Sequence, residues 1–307
     1  MECRTDKINQ ECGEFFQLHY MATDDNGSTR LLLESSAIAG VITRVALHPI
    51  DTCKVKIQVD RTRNSAKGVI GTATQIIRTE GIRGFYKGFG PAIAGTIPGM
   101  CLYFGSYRFF KSRMEGVSGS TGHLINFTAG FLAEMVSCIV WVPTDVVKER
   151  AQASLLESGA LHSGTSHIRT ILSQEGMRGL YRGYGATLAS FGPFSALYFM
   201  FVEPLKSSAQ RFRGTSELPF GDLVALCAVA GGGAAFCTAP MDLVKVRMQV
   251  VRASQSSYSG FLSTLVKTWK SEGVRGLFRG GGSRVWFAAP NTAITMAVME
   301  SVRYRLA

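Results

Sequence analysis

Three segments of this chain carry the same pattern, and that repetition constrains the fold more than any other property of the sequence. "PIDTCKVKIQ" begins at Pro49, "PTDVVKERAQ" at Pro143 and "PMDLVKVRMQ" at Pro240. Each places Asp at +2 from the proline, bases at +5 and +7 and Gln at +9. A second motif recurs with the same period of about 95 residues, the mark of a repeat architecture. It reads "EGIRGFYKG" from Glu80, "EGMRGLYRG" from Glu175 and "EGVRGLFRG" from Glu272. Two independent motifs in register define three units, 30–116, 117–213 and 214–307, behind a leading segment 1–29.

Each unit offers two apolar stretches, one ahead of its proline motif and one behind its glycine motif. Gly88 to Tyr107, Gly183 to Val202 and Leu223 to Met241 run without a single charge. Such runs match the roughly 20 residues that a helix needs to cross a bilayer. Six spans follow, at 32–57, 86–111, 124–151, 182–206, 220–248 and 280–305. Between the two spans of each unit lies a shorter amphipathic segment such as "GVIGTATQIIRTEG". Its charges and moderate length suit a helix lying in the membrane interface. The expected fold class is therefore an all-α membrane protein, six transmembrane helices in three pseudo-symmetric two-helix repeats, each with a short interfacial helix.

The net charge of +11 could be taken for a nucleic-acid footprint, but its distribution argues otherwise. Most of the 33 lysines and arginines fall in 54–87, 148–182 and 245–284, the connections on one side of the membrane. This is the asymmetry of the positive-inside rule, and a basic face of that kind holds anionic lipid heads. No nucleic-acid partner is expected. The 7 cysteines form no CxxC pair and read as small buried hydrophobes. The 5 histidines are scattered, and no His–acid–nucleophile set or metal-ligand cluster stands out. Neither an enzyme nor a metal site is expected. Segment 1–29 is acidic and has no apolar signal core; it reads as a mobile tail.

The proline motif has a physical logic. Proline inside a helix removes a hydrogen bond and kinks it. Asp and the first base lie three residues apart and share a helix face. Charges at the end of a span avoid lipid and find partners inside. Three copies around a threefold axis place three acids and three bases in one ring, each acid within reach of a base on a neighbouring helix. Ion pairs suit a reversible closure, because Coulomb gain and desolvation cost nearly cancel.

On these motifs the chain resembles the mitochondrial carriers, over about 30–307. The resemblance implies a monomer of the inner membrane with its basic loops toward the matrix, a small-molecule substrate and no cofactor. It implies a matrix gate of Asp51–Lys148, Asp145–Lys245 and Asp242–Lys54, braced by Gln58, Gln152 and Gln249. It assigns "YKG" (Tyr86, Lys87, Gly88), "YRG" (Tyr181, Arg182, Gly183) and "FRG" (Phe278, Arg279, Gly280) to the phosphates of structural cardiolipin, in keeping with anion binding at helix starts. The family's cytoplasmic gate, an aromatic and an acid followed by a base, matches Glu203 with Lys206 and Glu300 with Arg303. In the second helix Tyr107 and Lys111 fit, but Arg108 stands where the acid belongs. Cyclic pairing then leaves Glu203–Arg303 and Glu300–Lys111, two bridges of three.

Transporter substrates bind near the midplane, between repeats. In the family the contact positions lie seven residues beyond the glycine of the aromatic–base–Gly motif, here Gly95, Ser190 with Phe191, and Phe287. Many relatives carry arginine there; none is present in this chain, which argues against a di- or tricarboxylate clamp. Two charges remain deep in the odd-numbered spans, Arg44 and Glu134. Either they pair with each other and tune helix packing, or they bind opposite ends of a zwitterionic or cation-bearing solute. Trp141, Phe191, Trp286 and Phe287 offer aromatic surface, and Arg284 lies nearer the matrix end. Locally, "AEMVSC" with "VPTDVVKERAQ", and "GLYRGYG" with "PFS", are similar to the S-adenosylmethionine carriers. That subgroup usually has an arginine–acid pair where Ser190 and Phe191 stand.

Overall fold

The structure is a computed structural model that describes residues 26–60, 68–115, 122–153, 164–215, 218–251 and 260–306. Most of the acidic leading segment therefore lies outside the described residues. The first repeat holds α1 (Asn26–Val59), α2 (Gly68–Glu80), a 3-10 turn (Ile82–Tyr86) and α3 (Phe89–Glu115). The second holds α4 (Gly122–Ala153), α5 (Gly164–Leu180) and α6 (Tyr184–Arg213). The third holds α7 (Phe220–Cys237), α8 (Ala239–Val250), α9 (Phe261–Leu277) and α10 (Gly281–Leu306). No strand occurs among the described residues. By length and composition, Phe127–Ala153, Tyr184–Arg213 and Phe220–Cys237 are long and apolar enough to cross a membrane.

The long helices form a closed ring. Within repeats α1 packs on α3, and α4 on α6; between repeats α3 packs on α4, α6 on α7 and α8, and α10 returns to α1. The proline-bearing helices α1, α4 and α8 also touch one another, so the three proline motifs converge at one end. Large apolar side chains such as Ile42, Ile97, Phe127, Ile139, Val229 and Trp286 point outward. In water they would be costly; around a bilayer-spanning ring they are the expected lining.

The fifth span departs from the single helix expected at 220–248. It is broken into α7 and α8 at Thr238. Pro240 lacks the N–H that would bond the carbonyl four residues earlier, at Phe236. The helices α1 and α4 run through Pro49 and Pro143 without a break. In α4 the carbonyl deprived by Pro143 is that of Ile139, and the Tyr181 hydroxyl donates to it at 3.1 Å. In the third repeat the matching aromatic is Phe278, which has no hydroxyl and packs on Phe236 instead, with ring centroids 5.5 Å apart.

The last glycine of each aromatic–base–Gly motif precedes α3, α6 or α10 with a positive φ, 75° at Gly88, 84° at Gly183 and 80° at Gly280. Each also lies against the next repeat. A Cβ on Gly88 would stand 2.7 Å from the Lys148 carbonyl oxygen, and Cβ atoms on Gly183 and Gly280 would stand 2.8 Å from the Gln249 and Gln58 side chains. Both the turn and the seam demand glycine. Gly88→Ala is expected to cost about 1–3 kcal/mol and to lower the thermal midpoint of the purified protein in detergent. Gly90→Ala, in open space, should leave the midpoint in place; equal shifts would contradict this account.

Candidate functional site: a charged ring at the basic end

The proline kinks carry three aspartates inward where α1, α4 and α8 converge. Each meets the lysine of another repeat. Lys148 Nζ lies 3.0 Å from Asp51, Lys245 Nζ 3.0 Å from Asp145 and Lys54 Nζ 3.0 Å from Asp242. These are the partners that the family resemblance implies. All six side chains are largely removed from solvent, and the ring closes on itself.

The glutamines do not behave alike. All three are fully buried, yet only Gln58 reaches an ion pair, donating to Asp242 at 3.0 Å. Gln152 donates to the Thr52 hydroxyl at 3.1 Å. Gln249, with its amide nitrogen turned toward α4, donates to Glu149 at 2.7 Å. The neighbours differ: Thr52 offers Gln152 a nearby hydroxyl, and Glu149 is an extra acid where the other repeats have Val55 and Val246.

A second tier of charges lies below the ring. The base at +7 of each proline motif binds the glutamate of the glycine motif in its own repeat. Lys56 meets Glu80 at 2.7 Å, while Arg150 and Arg247 grip Glu175 and Glu272 with both terminal nitrogens. The base of the aromatic–base–Gly motif closes on the same acid: Lys87 at 3.9 Å, Arg182 at 4.0 Å and Arg279 at 3.6 Å. Each glutamate is therefore clasped by two bases, and it ties the amphipathic helix to the kinked one. Sequence reasoning assigned Lys87, Arg182 and Arg279 to lipid and overlooked this clasp. The signal was present, since the +7 base and the glutamate recur with the same period. The motif aromatics also have protein partners: Tyr86 stacks on His48 at 6.0 Å, Tyr181 binds Ile139 and Phe278 packs on Phe236.

Toward the midplane, the called contact positions sit at seams between helices. Gly95 faces Thr144, where a Cβ would come within 2.6 Å, so it provides close packing of α3 on α4. The Ser190 hydroxyl donates to the Ala186 carbonyl of its own helix at 2.8 Å. Phe191 lies half-buried one residue further along α6. Phe287 lies by Lys54 of the charged ring, whose Nζ is 5.5 Å from the phenyl centroid. Trp286, one residue before Phe287, is exposed. Arg284 joins the ring, with Nε 3.7 Å from Asp242 and Nη1 donating to the Thr238 carbonyl at 2.6 Å.

Arg44 and Glu134 do not pair with each other. The Arg44 guanidinium lies 5.4 Å from the centroid of Trp141. Glu134 accepts from Ser137 at 3.3 Å and from the Cys138 thiol at 3.6 Å, both on its own helix. At the opposite end of the bundle, Tyr107 is buried with Lys111 Nζ 5.9 Å from its ring centroid. Glu203 is exposed and Lys206 half-buried on α6. The side chains of Glu300 and Arg303 lie outside the described residues.

A threefold, six-helix ring with a charged constriction at one end defines a carrier. The family model "Mitochondrial carrier protein" matches residues 27–118, 120–213 and 216–307. Among similar proteins, the mitochondrial substrate carrier family protein E of Dictyostelium discoideum is 32% identical, over 90% of this chain and 96% of that protein. The mitochondrial S-adenosylmethionine carrier protein of Danio rerio is 33% identical, over 89% and 96%. The succinate/fumarate mitochondrial transporter of Saccharomyces cerevisiae is 31% identical, over 89% and 90%. The chain belongs to the mitochondrial carrier family. It is a multi-pass transporter of the mitochondrial inner membrane.

The clasp is directly testable. Glu175→Gln would leave the Arg150 and Arg182 guanidiniums without their shared counter-charge, at an expected cost of about 3–5 kcal/mol for a buried pair broken on one side. Thermal unfolding should show a large drop in midpoint, while Arg169→Gln on the exposed face of α5 should be neutral. A neutral Glu175→Gln would show that the clasp contributes nothing.

Proposed function

We propose that this carrier moves a zwitterionic or cation-bearing metabolite of the S-adenosylmethionine or amino-acid type by alternating access. On this reading the Asp51–Lys148, Asp145–Lys245 and Asp242–Lys54 ring is the matrix gate, and Tyr107, Lys111, Glu203, Lys206, Glu300 and Arg303 form the cytoplasmic one. The observation that carries the substrate class is the separation of Arg44 from Glu134. Two opposite charges inside membrane spans are costly, and side chains that only packed the helices would lower that cost by pairing. They are instead held apart, the cation over an indole and the acid on a hydroxyl and a thiol, as receptors for the two ends of a solute would be. The lack of arginine at Gly95, Ser190 and Phe287 argues against a di- or tricarboxylate. Relatives named for S-adenosylmethionine support the reading; those named for succinate and fumarate or for citrate show that kinship alone does not choose a substrate. The first turns of α3, α6 and α10, opened by Gly88, Gly183 and Gly280, keep backbone N–H groups that would take cardiolipin phosphate.

Uptake into liposomes from a panel of labelled S-adenosylmethionine, amino acids, nucleotides and dicarboxylates tests the substrate. Uptake of nucleotides alone would favour a nucleotide or cofactor carrier, and uptake of none a scaffold on the carrier fold. Asp145→Asn should leave a folded protein with strongly reduced uptake, because Lys245 loses its partner; normal uptake would remove Asp145 from the gate. Glu134→Gln and Arg44→Gln should each erase most of the thermal stabilisation by S-adenosylmethionine, about 2.7 kcal/mol at a hundredfold excess over Kd. Their basal midpoints should move little. Early melting with normal stabilisation would make the two residues structural.

A further inference from the structure

The ring is threefold in its ion pairs but not in the bonds that surround them. At the seam of α8 with α1, Asp242 takes Lys54 and Gln58, and the Arg247 Nε donates to the Gln58 carbonyl at 3.2 Å. Arg279 adds a bond to the Asp60 carbonyl at 2.8 Å. At the seam of α4 with α8, Asp145 takes Lys245, and the Arg150 Nε donates to the Gln249 carbonyl at 2.9 Å. The Gln249 amide also meets Glu149 there. At the seam of α1 with α4, Asp51 takes Lys148 and Gln152 takes Thr52.

The difference traces to one residue type. Arginine is a fork: Arg150 and Arg247 spend their terminal nitrogens on the glutamate of their own repeat and still have Nε to hook a carbonyl of the next. Lys56 holds the equivalent position in the first repeat, and its one nitrogen is given to Glu80 at 2.7 Å. Among the described residues, no bond runs from α1 to the Gln152 carbonyl.

We propose that the matrix end of this carrier opens asymmetrically: α1 and α4 part first, because Lys56 cannot hook the second repeat, while the third repeat stays latched to the first through Arg247, Gln58 and Arg279. This rests on the alternating-access reading. A solute moving matrixward would leave between the first and second repeats, on the side of the cavity that carries both Arg44 and Glu134.

The test needs no substrate. Val59, Ala153 and Val250 are equivalent positions, each one residue past its glutamine. Spin labels at 59/153, 153/250 and 59/250, in an otherwise cysteine-free carrier in lipid nanodiscs, report each seam by pulsed electron paramagnetic resonance. The 59/153 pair should show the largest long-distance fraction and 59/250 the smallest. Lys56→Arg should reduce the 59/153 long fraction on the order of tenfold, the effect of one charge-assisted hydrogen bond. Arg247→Lys should raise the 59/250 fraction by a similar factor. Should Arg247→Lys fail to fold, Gln58→Met, which removes the brace on Asp242, should raise the same fraction. Three indistinguishable distributions, or a 59/153 distribution unmoved by Lys56→Arg, would overturn the proposal. Failure of every solute in the uptake panel would bear on the substrate reading and leave these distances as they are.

Discussion

Three carboxylates that cannot stand alone govern the basic end of this protein. Asp51, Asp145 and Asp242 are carried inward by proline-kinked helices into a place largely shut off from water. An ionised group there needs a partner, and its own helix offers poor geometry. Lys148, for example, lies 3.9 Å from Asp145 on the same helix but 3.0 Å from Asp51 on another. Each acid therefore recruits a lysine from a different repeat. With three repeats that requirement closes as a cycle, in one of two senses, and the cycle draws α1, α4 and α8 together. The helices α3, α6 and α10 complete the ring.

The remaining motif residues make the convergence rigid. The glycine motif places a glutamate on the amphipathic helix, where two bases close on it. The last glycine lets α3, α6 or α10 start against the next repeat. The aromatic between them supports the kinked helix beside its proline, by a hydroxyl at Tyr181 and by packing at Phe278. Every conserved-looking feature within the repeats thus acts on the kink, the clasp or the seam.

The period of the repeats made the architecture and a ring of acids facing bases legible, because both follow from motifs that recur in register; which lysine meets which aspartate came from the family resemblance. What the sequence left hidden is where symmetry fails. The three glutamines occupy identical register positions, yet their partners are an aspartate, a threonine and a glutamate, decided by the side chain that faces each across a seam. The helix break at Thr238 had no separate signal: Pro49 and Pro143 share the motif of Pro240 and leave their helices continuous. Gly95 counted out as a contact position, but spacing cannot tell a residue that faces the cavity from one that faces Thr144. The Arg44–Glu134 alternatives stayed open for the same reason. Register places both charges inside the spans, and only side-chain geometry separates a pair from two receptors.

The energetics of such a ring favour movement over permanence. A buried ion pair gains in attraction about what it loses in hydration, so exchanging it for two wet charges in an open gate changes the free energy little. The bonds that discriminate closed from open are then the secondary ones: an amide on a carboxylate, a guanidinium on a carbonyl. Each is a directed contact that must break when helices part and that water replaces only partly. In this chain those contacts are unequally shared among the seams. A ring whose primary pairs are equivalent and whose secondary bonds are not has no physical reason to open evenly. Lys56 lies where the other repeats spend arginine on a seam carbonyl, and on the proposed reading that puts the lowest barrier between α1 and α4.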